Sequence, residues 1–581
     1  MKEEKKLTGY PSIDKPWMKY YSEEAINAPL PKMSMYEYIW EKNKTHLEQI
    51  ALKYYGANIT YQRLFDQIKS AAKAFSTAGV QSGDFVIIAS VTLPETIYAI
   101  YALNSIGAIP NMVDPRTSVE GIRDYIREVS ARFVVVIDAA YPKIVQSIEQ
   151  TPVERIITLS AFDSMPAHLK LVLKTKSFSF KKADLSTIST MKWRDFIKTG
   201  RNKVFSPKDY QPDQCSVIVH TGGTTGMPKS VMVSNDNANA GAHEAMNSPI
   251  FMARGDIFLN VIPPFFAFGI ILGIHIPLSC GWISDIVPQF DLNRFDELLI
   301  KHRPNGMIGV PAYYKKLMES KKLNRADLSF LKCVLAGGDK IPADFEVQVN
   351  QFLHNHNANI HLTKGYSMTE ASAMATVSYE NTIRIGSNGI PLSNTVIAAF
   401  EEGTDRELSY GERGEICISS PTVMLGYYHN EAATNEVLYE HSDGNKWLHS
   451  GDLGYIDSDG FVFIEGRLKR MFMTYRSIKI FPPFIERVII SNPKVSACCV
   501  VGKDDVLHGR GQVPVVFLVL KPSPAEEKDQ IITELKLACE QRLPEYSLPE
   551  SYYFIPALPL TPMGKVDYRA LEKMAVEQSS L

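Results

Sequence analysis

The chain has 581 residues, 45% hydrophobic and 22% charged, with 62 lysines and arginines against 64 aspartates and glutamates for a net charge of -2. That length exceeds what one hydrophobic core organises, so two or more domains are expected. The near-neutral balance excludes an electrostatic footprint for nucleic acid or an anionic membrane, so a small anionic ligand has to be held by local groups.

Met1-Lys2-Glu3-Glu4-Lys5-Lys6 runs into polar and aromatic residues instead of an apolar core, which argues against a secretory signal. After this polar arm, Ile59-Thr60-Tyr61 and a helical pattern from Gln62 to Ala78 lead to the apolar strand Phe85-Val86-Ile87-Ile88-Ala89. A second helical run from Glu95 to Ile106 gives way to Ala108 to Val113, and Phe133 to Ile137 and Arg155 to Leu159 follow at βαβ spacing. The segment from about Ser160 to Asp213 is polar and weakly patterned, and reads as a surface excursion. Ile257 to Ser284 lacks any Asp, Glu, Lys or Arg and is long enough to span a bilayer, but Pro263, Pro264 and Pro277 break a single helix. It reads as strand, loop and helix in a large core.

Gly306 to Val310 and Leu331 to Leu335 predict a second α/β unit with a parallel-type sheet. From Val396 the texture changes to short alternating strands with Gly/Asp turns, the mark of a small β-rich, barrel-like subdomain. A boundary is expected at the basic run Arg467-Leu468-Lys469-Arg470, dividing a large domain over 1–468 from a small α+β domain over 469–581. The seven cysteines, Cys215, Cys280, Cys333, Cys417, Cys498, Cys499 and Cys539, show neither a CxxC pair nor histidine clustering of the zinc type. They fit reduced thiols of a cytoplasmic protein.

The most informative stretch is His220-Thr221-Gly222-Gly223-Thr224-Thr225-Gly226-Met227-Pro228-Lys229, directly after the apolar run Ser216 to Val219. Its glycines let backbone N–H groups turn toward one anion, its threonines add hydroxyl donors, and Lys229 adds a mobile charge. The spacing is not that of a Walker loop. A plain Gly/Thr-rich turn has the same composition, so the reading depends on the rest of the chain.

That glycine loop, Tyr366-Ser367-Met368-Thr369-Glu370, Ser450-Gly451-Asp452, Gly466-Arg467-Leu468-Lys469 and Pro562-Met563-Gly564-Lys565, in this order, resemble the adenylate-forming enzyme superfamily of acyl-CoA synthetases and aryl-CoA ligases. The resemblance covers Ile59 to Leu571. It implies ATP, Mg²⁺ and coenzyme A as cofactors. By resemblance, Thr221 to Lys229 bind the β- and γ-phosphates, Gly337, Gly338 and Asp339 line the adenine and acyl pocket, and Tyr366 lies against the adenine ring. Thr369 contacts the α-phosphate, Thr225 and Glu370 hold Mg²⁺, and Asp452 and Arg467 take the ribose. Lys565 brings charge to the attacking carboxylate from a mobile C-terminal domain hinged at Lys469.

The pattern departs at several places. Phe266, in the acyl-pocket segment with Phe265, Phe268 and Gly269, stands where histidine is common, and Ser367 replaces a usual glycine. Ser477 and Phe484 replace a usual glycine and glutamate in the expected thiol passage, where the chain also runs one residue longer. The resemblance implies ATP-dependent activation of a fatty or other hydrophobic carboxylic acid to an acyl-adenylate, then transfer to coenzyme A. The alternative acceptor is a carrier-protein phosphopantetheine; the residues after Lys565 are too few to form such a carrier. A noncatalytic binding protein of the same fold and a membrane-associated scaffold are the competing readings. No transmembrane segment is expected, and the chain is expected to act as a monomer or homodimer.

Overall fold

The computed structural model describes residues 7–173, 188–221, 228–249, 252–338, 341–521, 528–560 and 566–577. Its first sheet has eight strands, ordered Gly426–Tyr427, Ser230–Ser234, Cys215–His220, Ile109–Val113, Phe85–Ala89, Phe133–Ile137, Arg155–Leu159 and Ser189–Lys192. From Cys215–His220 to Ser189–Lys192 the neighbours pair in parallel, and the first two strands join antiparallel. The period-two geometry of a strand sends Val86 and Ile88 to one face and Ile87 and Ala89 to the other, and each face meets its own core. Both faces are therefore dry, which is why these strands read as unbroken apolar runs.

The second sheet has seven strands, ordered Leu362–Lys364, Cys333–Ala336, Gly306–Gly309, Ile257–Asn260, Ile283–Ile286, Ile50–Tyr54 and Ala57–Thr60. All pairings are parallel except the last. Between the sheets lies the largest core, which receives the helices Tyr61–Ala78 and Pro94–Ser105, the latter buried at every position. Thr60 caps Tyr61–Ala78 by accepting from the Arg63 N–H, and Gly79 ends it at φ 94°.

The uncharged stretch forms the strand Ile257–Asn260 and then a helical run built of Ala267–Ile270, a π-turn Ile271–His275 and Ile276–Cys280. Its apolar side chains face protein. Among the described residues no helix is long and apolar enough to cross a membrane.

An antiparallel five-stranded sheet follows, in which the 11-residue strand Lys446–Ile456 pairs with Gly414–Ser419, Leu438–Glu440 and Val462–Arg467, and Val396–Phe400 lies beyond Gly414–Ser419. The C-terminal part has the hairpin Phe472–Met473 with Lys479–Ile480, the sheet Val495–Asp504, Gln512–Leu520 and Ser551–Phe554, and the helices Pro482–Ile490, Lys528–Arg542 and Tyr568–Glu577.

Two expectations are corrected. The N-terminal arm is not a polar extension: Trp17 is fully buried, with its backbone against Gly460, and Met35–Asn43 forms a helix fixed by a capping box of Ser34 and Glu37. Likewise the stretch after Ser160 is only partly a surface excursion. Ser189–Lys192 closes the edge of the first sheet, and Trp193 and Phe196 pack on Phe75 of the long helix. Few aromatics in a polar context carry that packing, so no periodicity announces it.

Candidate active site

Parallel strands end together, so the residues just past their carboxyl ends share one rim. Past the strands of the second sheet come Pro263 to Phe268, Val310, Gly337 and Tyr366; past those of the first come Thr92, Asp114 to Arg116 and Thr221. The two rims touch. Thr92 Oγ1 donates to the Ile262 carbonyl at 2.8 Å, and the Arg116 guanidinium lies 5.6 Å from the Phe265 ring centre.

The glycine loop hangs from the paired strands Cys215–His220 and Ser230–Ser234. Thr221 N–H donates to the Lys229 carbonyl at 3.0 Å, and Lys229 N–H donates to Thr221 Oγ1 at 2.9 Å. Gly222, Gly223, Thr224, Thr225 and Gly226 lie outside the described residues. Below the loop His220 bonds Asn111 Oδ1 at 2.7 Å and Ser230 Oγ at 3.2 Å, and burial pushes its pKa down to about 3. It is a neutral support that donates its Nε2–H to Asn111 Oδ1, not a general acid.

Glu370 is the middle residue of a short turn opened by Thr369, Thr369–Ala371, after which Ser372 and Ala373 both sit at positive φ, 48° and 63°. Two consecutive non-glycine residues in that region mark a backbone held by its surroundings. The Met424 N–H donates to the Glu370 carbonyl at 2.8 Å, and the Tyr427 hydroxyl donates to Glu370 Oε1 at 2.7 Å. Lys229 Nζ lies 4.4 Å from the Tyr427 ring centre. The loop cation and the carboxylate thus share one aromatic neighbour. Glu370 is half-buried, and a carboxylate is the kind of oxygen ligand that a hard cation takes.

Asp452 and Arg467 are directly opposed across the strands Lys446–Ile456 and Val462–Arg467. Arg467 Nε is 2.8 Å from Asp452 Oδ1, while Arg467 Nη1 donates to the Ser450 carbonyl at 2.9 Å. Tyr366 donates its hydroxyl to Asp452 Oδ2. Asp452 is buried, and the Arg467 side chain is half exposed. Desolvation works to lower the Arg467 pKa, yet Asp452, Tyr366, Glu370 and Tyr568 together hold it raised. Burial and then Asp452 push the Tyr366 phenol well up, so it stays a donor.

Gly338 has φ +78°, a conformation glycine adopts without strain, and a Cβ built on Gly337 would lie 3.9 Å from the Phe268 ring. Asp339 lies outside the described residues. Phe265 and Phe266 meet edge to face at 4.7 Å. Gly269 is fixed by close approach, because a Cβ there would stand 1.8 Å from the Pro263 carbonyl oxygen.

Lys469 is exposed in the turn Leu468–Arg470 between the antiparallel sheet and the C-terminal part. Its neighbour Arg470 pairs with Glu486 and lies 4.0 Å from the Tyr568 ring centre. Lys565 lies outside the described residues; the bridge between Leu560 and Val566 flanks it. Ser477 stands at φ 60°, so it keeps a glycine-like conformation, whereas Ser367 is not at positive φ. Phe484 lies 5.8 Å from Arg413 and 5.7 Å from Arg487, which both also pair with Glu465.

The AMP-binding enzyme family model matches residues 39–428, well over half of the chain, and the AMP-binding enzyme C-terminal domain matches residues 485–565. The chain belongs to the AMP-binding enzyme family. Among its relatives is the long-chain-fatty-acid–CoA ligase of Bacillus subtilis (strain 168), 26% identical over 96% of this chain and 97% of that one. The probable 4-coumarate–CoA ligase 3 of Dictyostelium discoideum is 28% identical over 86% and 87%. Of solved structures, the anthranilate CoA ligase AuaEII in complex with anthranoyl-AMP superposes with a TM-score of 0.79 at 19% identity, covering 96% of this chain and all 100% of that one. ATP-bound MatB from Rhodopseudomonas palustris gives 0.78 at 20% identity over 93% and 99%. These likenesses share the α/β architecture with its small C-terminal domain.

Within this AMP-binding enzyme, sequence reasoning missed Tyr427, Arg116 and Thr92. The last two follow strand ends in a parallel sheet, a signal the rim rule supplies. Tyr427 carries no local signal, since it reaches Glu370 only by pairing Gly426–Tyr427 onto Ser230–Ser234.

Proposed function

We propose that the chain is an AMP-forming acid–thiol ligase that activates a hydrophobic carboxylic acid with ATP and passes the acyl group to coenzyme A. In the first step a carboxylate oxygen attacks the α-phosphorus and pyrophosphate leaves. In the second the thiol sulfur attacks the acyl carbon, AMP leaves, and the thiol proton passes to solvent. The observation that carries the reading is the closed set Tyr366, Asp452 and Arg467 on the same rim as Glu370, Tyr427 and Lys229.

Asp452 accepts the ribose hydroxyls, Arg467 steadies it, and Tyr366 lies against the base. Thr221 to Lys229 hold the outgoing phosphates, and Thr369 donates to the α-phosphate. Glu370 and Thr225 would hold Mg²⁺, which would supply charge at the phosphate oxygens. Gly337, Gly338 and Asp339 would line the adenine and the acyl pocket. Lys565 lends its charge to the two converging anions in the first step and withdraws as the residues beyond Lys469 swing. The boundary at 468/469 belongs to this reading.

An apolar acid is supported by the aromatic wall Phe265, Phe266 and Phe268 and by relatives named for long-chain fatty acids and 4-coumarate. A carrier-protein phosphopantetheine is the competing acceptor. All seven cysteines are free thiols, which supports a cytoplasmic setting; a monomer or homodimer is the assembly proposed with it. The test is pyrophosphate exchange into ATP, which must require an added acid. Lys565→Ala must remove the exchange while a preformed acyl-adenylate is still consumed by coenzyme A. Exchange untouched by that substitution overturns the assigned role.

A further inference from the structure

The antiparallel sheet that carries Asp452 holds a second group of side chains that the ligase chemistry does not use. Cys417 and His449 are directly opposed on the strands Gly414–Ser419 and Lys446–Ile456, and Glu415 precedes Cys417 by two positions across a register irregularity. Cys417 Sγ lies 3.4 Å from His449 Nδ1, and His449 Nδ1 lies 2.8 Å from Glu415 Oε2. All three potential ligand atoms fall within 4.8 Å of one another, with Cys417 and His449 buried and Glu415 half-buried. The geometry points to a binding site for one zinc-type divalent cation, with Cys417 Sγ, His449 Nδ1 and Glu415 Oε2 as its protein ligands.

Spacing, donor chemistry and charge support that assignment. A tetrahedral zinc ion with ordinary bond lengths separates a sulfur and a nitrogen ligand by about 3.5 Å and a nitrogen and an oxygen ligand by about 3.3 Å. The first spacing is already present, and the second needs the carboxylate to retreat by a fraction of an ångström. The set of thiolate, imidazole and carboxylate suits a borderline-soft cation over Mg²⁺, and one thiolate with one carboxylate balances its two charges. Binding displaces the Cys417 proton to solvent, since the thiolate is the ligand.

The His449 ring is also held for the task. It stacks on Tyr439 with centroids 4.5 Å apart, and its other nitrogen, Nε2, lies 2.8 Å from His441 Nε2, which can accept the remaining N–H. Glu415 keeps its second oxygen, Oε1, for the Gly451 N–H at 2.8 Å, next to Asp452. The cation would therefore brace the stretch of strand that carries the ribose acceptor. No sequence spacing reveals the group, because 32 residues separate Cys417 from His449.

Chelator-treated full-length protein titrated with Co²⁺ decides the matter without any turnover, and so independently of the ligase reading. The expected result is one saturable cobalt per chain with tetrahedral absorption and a thiolate-to-cobalt charge-transfer band, both removed by Zn²⁺. Cys417→Ser, which keeps the side-chain shape, must lose the band, and His449→Gln must weaken binding at least about tenfold. No band in the folded wild-type chain overturns the site, leaving the cluster a hydrogen-bonded network only. A band that survives in Cys417→Ser overturns it as well.

Discussion

The Tyr366 hydroxyl donates to the Asp452 carboxylate across 86 residues of sequence. It brings the rim of a parallel sheet and a strand of an antiparallel sheet to one carboxylate, which Arg467 grips from the neighbouring strand. Asp452 thus has both carboxylate oxygens engaged by its own chain.

Tyr366→Phe removes one donor from a buried carboxylate, a change that costs about 1–3 kcal/mol. Ribose hydroxyls donate to the same group under the proposed function. The variant should therefore melt below wild type without ligand, and the gap should narrow at saturating AMP. A gap unchanged by AMP would count against Asp452 as the ribose acceptor.

Glu370 and Tyr427 separate charge from positioning. Glu370→Gln removes the carboxylate and should lower pyrophosphate exchange by about 10²-fold or more at any Mg²⁺ concentration. Tyr427→Phe keeps the charge and removes only the hydrogen bond at 2.7 Å. It should raise the Mg²⁺ needed for half-maximal exchange several-fold and leave the saturated rate within about tenfold. Equal losses in both variants would mean that Tyr427 acts on the substrate itself.

Much of this architecture was legible in the sequence, and the reason is physical. Strands such as Phe85–Ala89 and Phe133–Ile137 are buried on both faces, so their burial is written as an unbroken run. The proline-broken uncharged stretch likewise resolved into strand and helices. Trp17 and Trp193 were not legible, because one buried aromatic in a polar segment leaves no period to read. The same holds in the site. Tyr366, Asp452 and Arg467 sit in local motifs, whereas Tyr427 and the partnership of Cys417 with His449 exist only through strand pairing.

Gly269 tests whether the aromatic wall depends on backbone contact. A Cβ at this position meets the Pro263 carbonyl at 1.8 Å, and the chain must shift to admit it. Gly269→Ala should lower stability by about 1–3 kcal/mol and raise KM for the acid more than KM for ATP. Gly241→Ala is the control, since its Cβ meets Ile271 at 3.5 Å and Met374 at 3.8 Å within the helix Asn235–Met246. That variant should gain a few tenths to about 1 kcal/mol.

Glu95 gives a pH dependence of definite sign. It is buried in the first turn of Pro94–Ser105, its Oε1 accepts from Ser164 Oγ at 2.6 Å, and its Oε2 finds no partner among the described residues. Burial raises its pKa from 4.5 to about 7, so the folded chain binds this proton more tightly than the unfolded chain. Stability from this group is present below pH 4.5 and is lost as pH rises through 7, a change of roughly 3 kcal/mol. The buried His220 and His275, both lowered from 6.5 to about 3, act in the opposite sense: their contribution is present above pH 6.5 and lost as pH falls. They are common to wild type and variant, so they cancel in the difference. Glu95→Gln should therefore gain on wild type in urea unfolding midpoint as pH rises from 4.5 to 7, and hold a constant offset above that. A difference that is flat across the range would show that the Glu95 carboxyl ionises in the folded chain as it does in the unfolded one.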